Sequence, residues 1–164
     1  MKIYPKAYFG KVEEITIEFL KKNKLKALIL DVDNTLIDKE RNITEKVIEW
    51  VRNLKGQGVK LYILSNSNNA EKVEEISQKL KVSYHKFAMK PFKRGFKKAL
   101  KELNEKPENT AIVGDQIFTD IIGANLCGMK SVLLEPIQLE NTASFRLRRK
   151  WERRFRKKAK MGRS

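Results

Sequence analysis

Short apolar runs alternate with longer amphipathic stretches along this chain. Lys26 to Val32, KALILDV, is apolar and bounded by polar sequence, the pattern of a strand covered on both faces. Thr44 then offers a helix N-cap, and Val47, Ile48, Val51 and Leu54 recur at helical spacing until Gly56 and Gly58 end the helix. Val59 to Leu64 reads as a second strand. Ser67, Asn68 or Asn69 can cap a helix with Val73, Ile76 and Leu80 on one face, and Val82 to Phe87 is a short strand after it. Phe92, Phe96, Leu100 and Leu103 mark a third helix, and Thr110 to Val113 is a strand ending on GDQ. Phe118 to Leu126 is helical, Gly128 closes it, and Ser131 to Leu134 is the final strand. The segment up to Asn23 is expected to add a short helix that packs Ile17, Phe19 and Leu20 on the body.

Strands alternating with helices imply βαβ units, hence an α/β fold with a central parallel sheet flanked by helices. A chain of 164 residues with 41% apolar content is long enough for one domain with a buried core. We assign residues 1–142 to that domain, with 1–25 as a helical segment packed on it, and 143–164 to a basic amphipathic tail.

Charge separates the tail from the body. From Ala143 onward eleven Lys or Arg face Glu152 alone, a net of +10, which leaves +6 of the total +16 for the first 142 residues. Such a tail is attracted to a polyanion. Leu147, Trp151 and Phe155 fall at i, i+4 and i+8, on one helical stripe. The stripe suits an anionic membrane surface, the domain's own core or a protein partner, and the basic face suits RNA or the ribosome. No apolar run has membrane-spanning length and the N-terminus lacks a secretory pattern, so the expected location is the cytoplasm, with the tail able to reach the inner face of the membrane. Cys127 is the only cysteine, which excludes an internal disulfide and a cysteine-held zinc. It is expected to be a small buried residue, and His85, the only histidine, a structural one.

In open α/β sheets, ligands bind beyond the carboxyl ends of the strands. Asp31 and Asp33 follow the first such end, Ser65 and Asn66 the second, Lys90 a third, and Asp115 with Asp120 the fourth. Singly, each has an ordinary role: Asp and Asn form turns, SNSNN caps a helix, and Lys90 before Pro91 is a surface lysine. Together they match the needs of phosphomonoester cleavage, which requires a nucleophile, a proton donor for the leaving alkoxide, and positive charge around the phosphoryl oxygens. Hard carboxylate oxygens without a His or Cys partner favour magnesium, with Asp31 and Asp115 as direct ligands and Asp120 supporting Asp115 from behind.

DVDNTL at 31–36, ILSNS at 63–67, KP at 90–91 and GDQIFTD at 114–120 resemble, in order, the four motifs of haloacid dehalogenase (HAD) phosphatases, whose fold is Rossmann-like. The resemblance implies that Asp31 forms an aspartyl-phosphate and that Asp33 acts first as acid, then as base. It implies that Ser65, with Asn66, binds the phosphoryl group and that Lys90 neutralises charge. It also implies Mg2+ held by Asp31, the backbone carbonyl of Asp33, and Asp115. Only 31 residues separate Asp33 from Ser65 and 24 separate Ser65 from Lys90, which leaves no room for a cap domain and makes Leu36 to Asn42 the one candidate flap. YPKAYFGKVEEI, LKALILDVDNTL and WERRFRKK are similar to the YqeG family of subclass IIIA. Its relatives include phosphatidylglycerophosphate phosphatases, which implies a phospholipid headgroup as substrate. The alternative is an RNA- or ribosome-associated protein that uses the same fold as a scaffold.

Overall fold

The computed structural model describes residues 3–138 and 143–161. Six strands, β1 (Ala7–Phe9), β2 (Ala27–Leu30), β3 (Lys60–Leu64), β4 (Tyr84–His85), β5 (Thr110–Gly114) and β6 (Lys130–Leu134), pair in parallel in the order β1-β6-β5-β2-β3-β4. Helices α1 (Ile17–Lys22), α2 (Glu45–Gly56), α3 (Ala70–Leu80), α4 (Lys93–Leu103) and α5 (Ile122–Leu126) connect them, and α6 (Ala143–Met161) follows β6. This is the α/β architecture with a parallel sheet that the apolar pattern predicts, and the Rossmann-like fold that the resemblance implies.

Alternation along β2 explains the layers. Leu28 and Leu30 join Val47, Val51, Val73 and Ile76 on one face, under α2 and α3, with Leu20 of α1 in the same core. Ala27 and Ile29 face the other way and join Phe96, Ala99 and Leu100 of α4 and Ala124 of α5. β2 is therefore apolar at every position because neither face meets water. The helix starts follow the capping logic: the Thr44 hydroxyl accepts from the Val47 amide at 3.3 Å, and Asn69 accepts from the Lys72 amide at 3.0 Å.

Several expectations need revision. The N-terminal segment contains the edge strand β1 besides helix α1, and β1 is legible only through its pairing with β6. The strand expected over 82–87 is reduced to Tyr84–His85, because Phe87 has φ 51° and leaves the extended region. Phe92 does not belong to the buried stripe of α4: it is the N-cap residue and is 67% exposed. Of the proposed flap, Leu36 and Ile37 are core residues, and only positions 39–42 are exposed. Cys127 is half-buried. The β2–β3 and β3–β4 connections carry α2 and α3 and no inserted domain.

Candidate active site

The carboxyl ends of β2, β3 and β5 lie side by side, so residues distant in sequence arrive together. After β2 the chain turns sharply, with the amides of Thr35, Leu36 and Ile37 all donating to the Val32 carbonyl and Asn34 at φ 58°. That turn leaves Asp31 buried and Asp33 half-buried. After β3, the Ser65 carbonyl accepts from the Ala88 amide at 2.9 Å. The Asn66 side chain brackets Lys90, accepting from its amide at 2.7 Å and donating to its carbonyl at 3.0 Å. Both ends of the Asn66 amide are thus spent on holding the lysine in place. The Ser65 hydroxyl accepts from the Ser67 amide at 3.1 Å and keeps its own proton to give.

Lys90, 5% exposed, reaches back to the acidic cluster. Its Nζ lies 2.8 Å from Asp31 Oδ1 and 2.7 Å from Asp120 Oδ1. Asp120 comes from a turn of π-helix over Ile117–Ile121, a local irregularity common at functional sites. Its other oxygen, Oδ2, accepts from the Gln116 amide at 3.3 Å. Asp33 pairs with Lys72 of α3 at 2.6 Å.

Asp115 is held from an unexpected direction. Arg149 of α6 pairs with Asp115 Oδ2, and its other terminal nitrogen donates to the Asp115 carbonyl at 2.9 Å. Arg156 also donates to that carbonyl, and to the Leu134 carbonyl at 2.9 Å. Between them Glu152, wholly buried, accepts from the Ile117 and Phe118 amides at 3.1 and 3.5 Å and faces Arg149 at 3.3 Å and Arg156 at 3.6 Å. The helix docks by this polar stripe together with Phe155, which packs near Tyr8, Ile117 and Ile121, while Leu147 stays 59% exposed. The Leu147–Trp151–Phe155 stripe is therefore not the docking face as a unit, and the Trp151 side chain lies outside the described residues.

Burial dominates the electrostatics. Asp31 is pushed up to about 7 by desolvation and by the neighbouring Asp120, against the pull of Lys90. Asp115 is likewise raised to about 7 by desolvation and by Asp31, opposed by Arg149. Asp120 is raised by burial, despite Lys90. Burial alone would lower Lys90, but Asp120 and Asp31 outweigh it and raise it, so the ammonium is firmly charged.

Asp31, Asp115 and Asp120 offer oxygens within 4.8 Å of one another, a buried acidic cluster able to hold a divalent cation. Bonding within the cluster separates their roles. Both Asp120 oxygens are engaged by Lys90 and Gln116, whereas Asp115 Oδ1 is buried and finds no hydrogen-bond partner among the described residues. A buried carboxylate oxygen left unpaired beside Asp31 is what a cation ligand requires.

Lys72, Arg149, Glu152 and Arg156 are the site residues that sequence reasoning missed. Lys72 is one of two lysines on the amphipathic helix α3, with nothing in its spacing to mark it out. The α6 residues did carry a signal: Glu152 is the single acid among eleven bases, and Arg149, Glu152 and Arg156 recur at i, i+3 and i+7.

Comparison with known proteins agrees with this geometry. The chain is 34% identical over 152 residues to the Bacillus subtilis protein named Probable phosphatase YqeG, covering 92% of this chain and 88% of that one. A subfamily III A hydrolase of the HAD superfamily from Legionella pneumophila superposes with a TM-score of 0.53 at 24% identity, over 70% of this chain and 68% of that one. A cobalt-bound deoxy-D-mannose-octulosonate 8-phosphate phosphatase from Haemophilus influenzae gives 0.58 at 15% identity, over 88% and 96%. Both structures share the fold. Residues 1–138 match the family model described as Mitochondrial PGP phosphatase, and the chain belongs to that family, a HAD-type phosphatase similar to YqeG.

Proposed function

We infer that this phosphatase is a magnesium-dependent phosphomonoester hydrolase working through an aspartyl-phosphate on Asp31, and that its substrate is a phospholipid headgroup such as phosphatidylglycerophosphate. The observation that carries the reading is the pairing of buried Asp31 with Lys90, beside an Asp115 oxygen that lacks a partner.

In the first half-reaction an Asp31 oxygen attacks phosphorus, the ester P–O bond breaks, and Asp33 gives its proton to the departing alkoxide. In the second, Asp33 takes a proton from water, which attacks the aspartyl-phosphate and releases inorganic phosphate and the Asp31 carboxylate. Lys90 and the Ser65 hydroxyl bind the phosphoryl oxygens, and Asn66 keeps Lys90 aimed. Magnesium, held by Asp31, Asp115 and the Asp33 carbonyl, supplies positive charge to the phosphoryl oxygens and favours the ionised nucleophile. Asp120 fixes Lys90 from behind. The absence of a cap between β2 and β4 leaves the approach open, which suits a headgroup still attached to its lipid.

The test is phosphate release from a panel of phosphomonoesters that includes phosphatidylglycerophosphate, with and without Mg2+. Turnover is expected to require the metal and to fall at least about a thousandfold in Asp31→Asn, the scale of losing a nucleophile. Turnover retained in that variant removes Asp31 from the role, and soluble esters turned over while the lipid is not removes the headgroup.

A further inference from the structure

The segment that delivers Lys90 does a second thing with its side chains. Lys90 turns inward to Asp31, while its neighbours Phe87, Met89 and Phe92 are 50%, 66% and 67% exposed. Three large apolar side chains pointing into water on six residues are a concentrated cost, unlike the scattered apolar exposure usual on surfaces. The backbone adds to it: Phe87 and Met89 adopt φ of 51° and 54°, a left-handed conformation that bulky residues rarely take.

The surroundings of these tips are basic. Lys86 sits 5.9 Å over the Phe87 ring, and Lys93, Arg94, Lys97 and Lys98 are exposed on the first two turns of α4. The groove between them, lined by His85, Lys86, Phe87, Met89, Phe92 and Arg94, has no acidic side chain. Helix α4 also starts against its own dipole, with Phe92 making no side-chain cap, no acid in the first turn, and Lys93 and Arg94 where anions are favoured. Within the chain these residues gain only surface contacts, such as Lys86 with the Phe87 ring and Lys98 with Glu102 at 3.9 Å, whereas an anionic apolar surface would suit all of them.

We propose that the Phe87–Met89–Phe92 loop, ringed by Lys86, Lys93, Arg94, Lys97 and Lys98, docks this enzyme on an anionic lipid bilayer. The apolar tips enter the headgroup–acyl boundary and the lysines and arginine meet the lipid phosphates. A second copy of the chain is disfavoured, because the patch is strongly basic, with Glu102 beside Lys98 as its acidic neighbour, and would repel itself. RNA would meet the basic side chains and stack on Phe87 and Phe92, but it offers no apolar medium to Met89, the thioether tip between them, which a bilayer does. Docking is independent of the substrate. Its use for catalysis rests on the lipid-headgroup reading above, since it would place the mouth of the site at the membrane surface.

The experiment is co-sedimentation of the full chain with phosphatidylcholine vesicles, with and without phosphatidylglycerol. The parent is expected to bind only the anionic vesicles, and less at high salt. In Phe87→Asn/Met89→Asn/Phe92→Ser, binding is expected to fall at least about tenfold, the scale of losing three partly inserted apolar side chains. Asparagine tolerates the left-handed backbone, so this variant should melt no lower than the parent, and the loss cannot be laid to unfolding. Lys93→Glu/Arg94→Glu is expected to remove the preference for anionic vesicles. No binding by the parent overturns the proposal, as does a triple variant that binds as well as the parent, which would move the contact elsewhere on the chain. Vesicle binding without hydrolysis of phosphatidylglycerophosphate leaves docking standing and removes only the lipid substrate. Hydrolysis of that lipid in detergent without vesicle binding does the reverse.

Discussion

Gly114 carries more of the site than its size suggests. A Cβ there would overlap the Asp120 carboxylate and lie 2.9 Å from the Asp120 Cβ, and Asp120 cannot retreat because Lys90 and Gln116 hold both its oxygens. The missing methyl group is what lets Asp120 stand behind Lys90. Gly114→Ala is expected to cost about 1–3 kcal/mol, the range for overpacking a filled interior. Thermal unfolding should register this as a lower Tm, and phosphate release should fall with it as Lys90 loses its second carboxylate. An unchanged Tm would show that the loop relaxes freely.

Among the elements, α6 departs furthest from its sequence-level reading. Its basic, aromatic-striped pattern allows a surface-seeking tail or docking of the stripe on the domain; the helix does dock, but mainly by a charged triad laid against the Asp115 loop. Glu152 caps the start of the π turn and separates two guanidinium groups that would otherwise repel. Glu152→Ala should leave Arg149 and Arg156 without the buried carboxylate between them, and removing one member of a buried ionic group costs about 3–5 kcal/mol. The check is twofold: a lower Tm, and weaker Mg2+ binding by calorimetry, because the loop carrying Asp115 loses its brace. Loss of Tm with metal affinity intact would reduce Glu152 to a stabilising residue only. Sequence pattern could not show this, because helical spacing reveals which side chains share a face and not what the face meets. β1 escaped for a similar reason: three residues of mixed burial carry no period, and only pairing with β6 makes them a strand. By contrast β2, β3 and β5 were legible, since interior parallel strands are apolar over most of their length and end where the chemistry begins.

For the molecule as a whole, the acidic cluster makes stability depend on pH and on metal. Asp31 and Asp115 titrate near about 7 in the folded chain, above the ordinary 3.8. The folded state therefore holds protons that the unfolded state has released. The stability this contributes is fully present below about pH 4 and is lost as pH rises through about 7. Without metal, the Tm of the parent should fall over that interval relative to Asp31→Asn/Asp115→Asn, which lacks both groups. Mg2+ should raise the parent's Tm more at about pH 8 than at about pH 5, because ligands must shed their protons to bind, and it should leave the double variant unmoved. At a hundredfold excess over Kd the gain is about 2.7 kcal/mol. Equal Mg2+ shifts at both pH values would argue against these carboxylates as the ligands. The four motifs disclosed the ends of the strands and the acid cluster, but the supports from α3 and α6 depend on contacts such as Lys72–Asp33 and Arg149–Asp115, between residues that no local pattern links.

The brace on Asp115 also sets an order of events during synthesis. Every motif from Asp31 to Asp120 precedes α6 in the chain, so a ribosome can release all four into solution while the helix that steadies the last of them is still within the exit tunnel. A nascent polypeptide then holds the motif residues before the brace on Asp115 exists, and that brace forms as one late step when Glu152 seats.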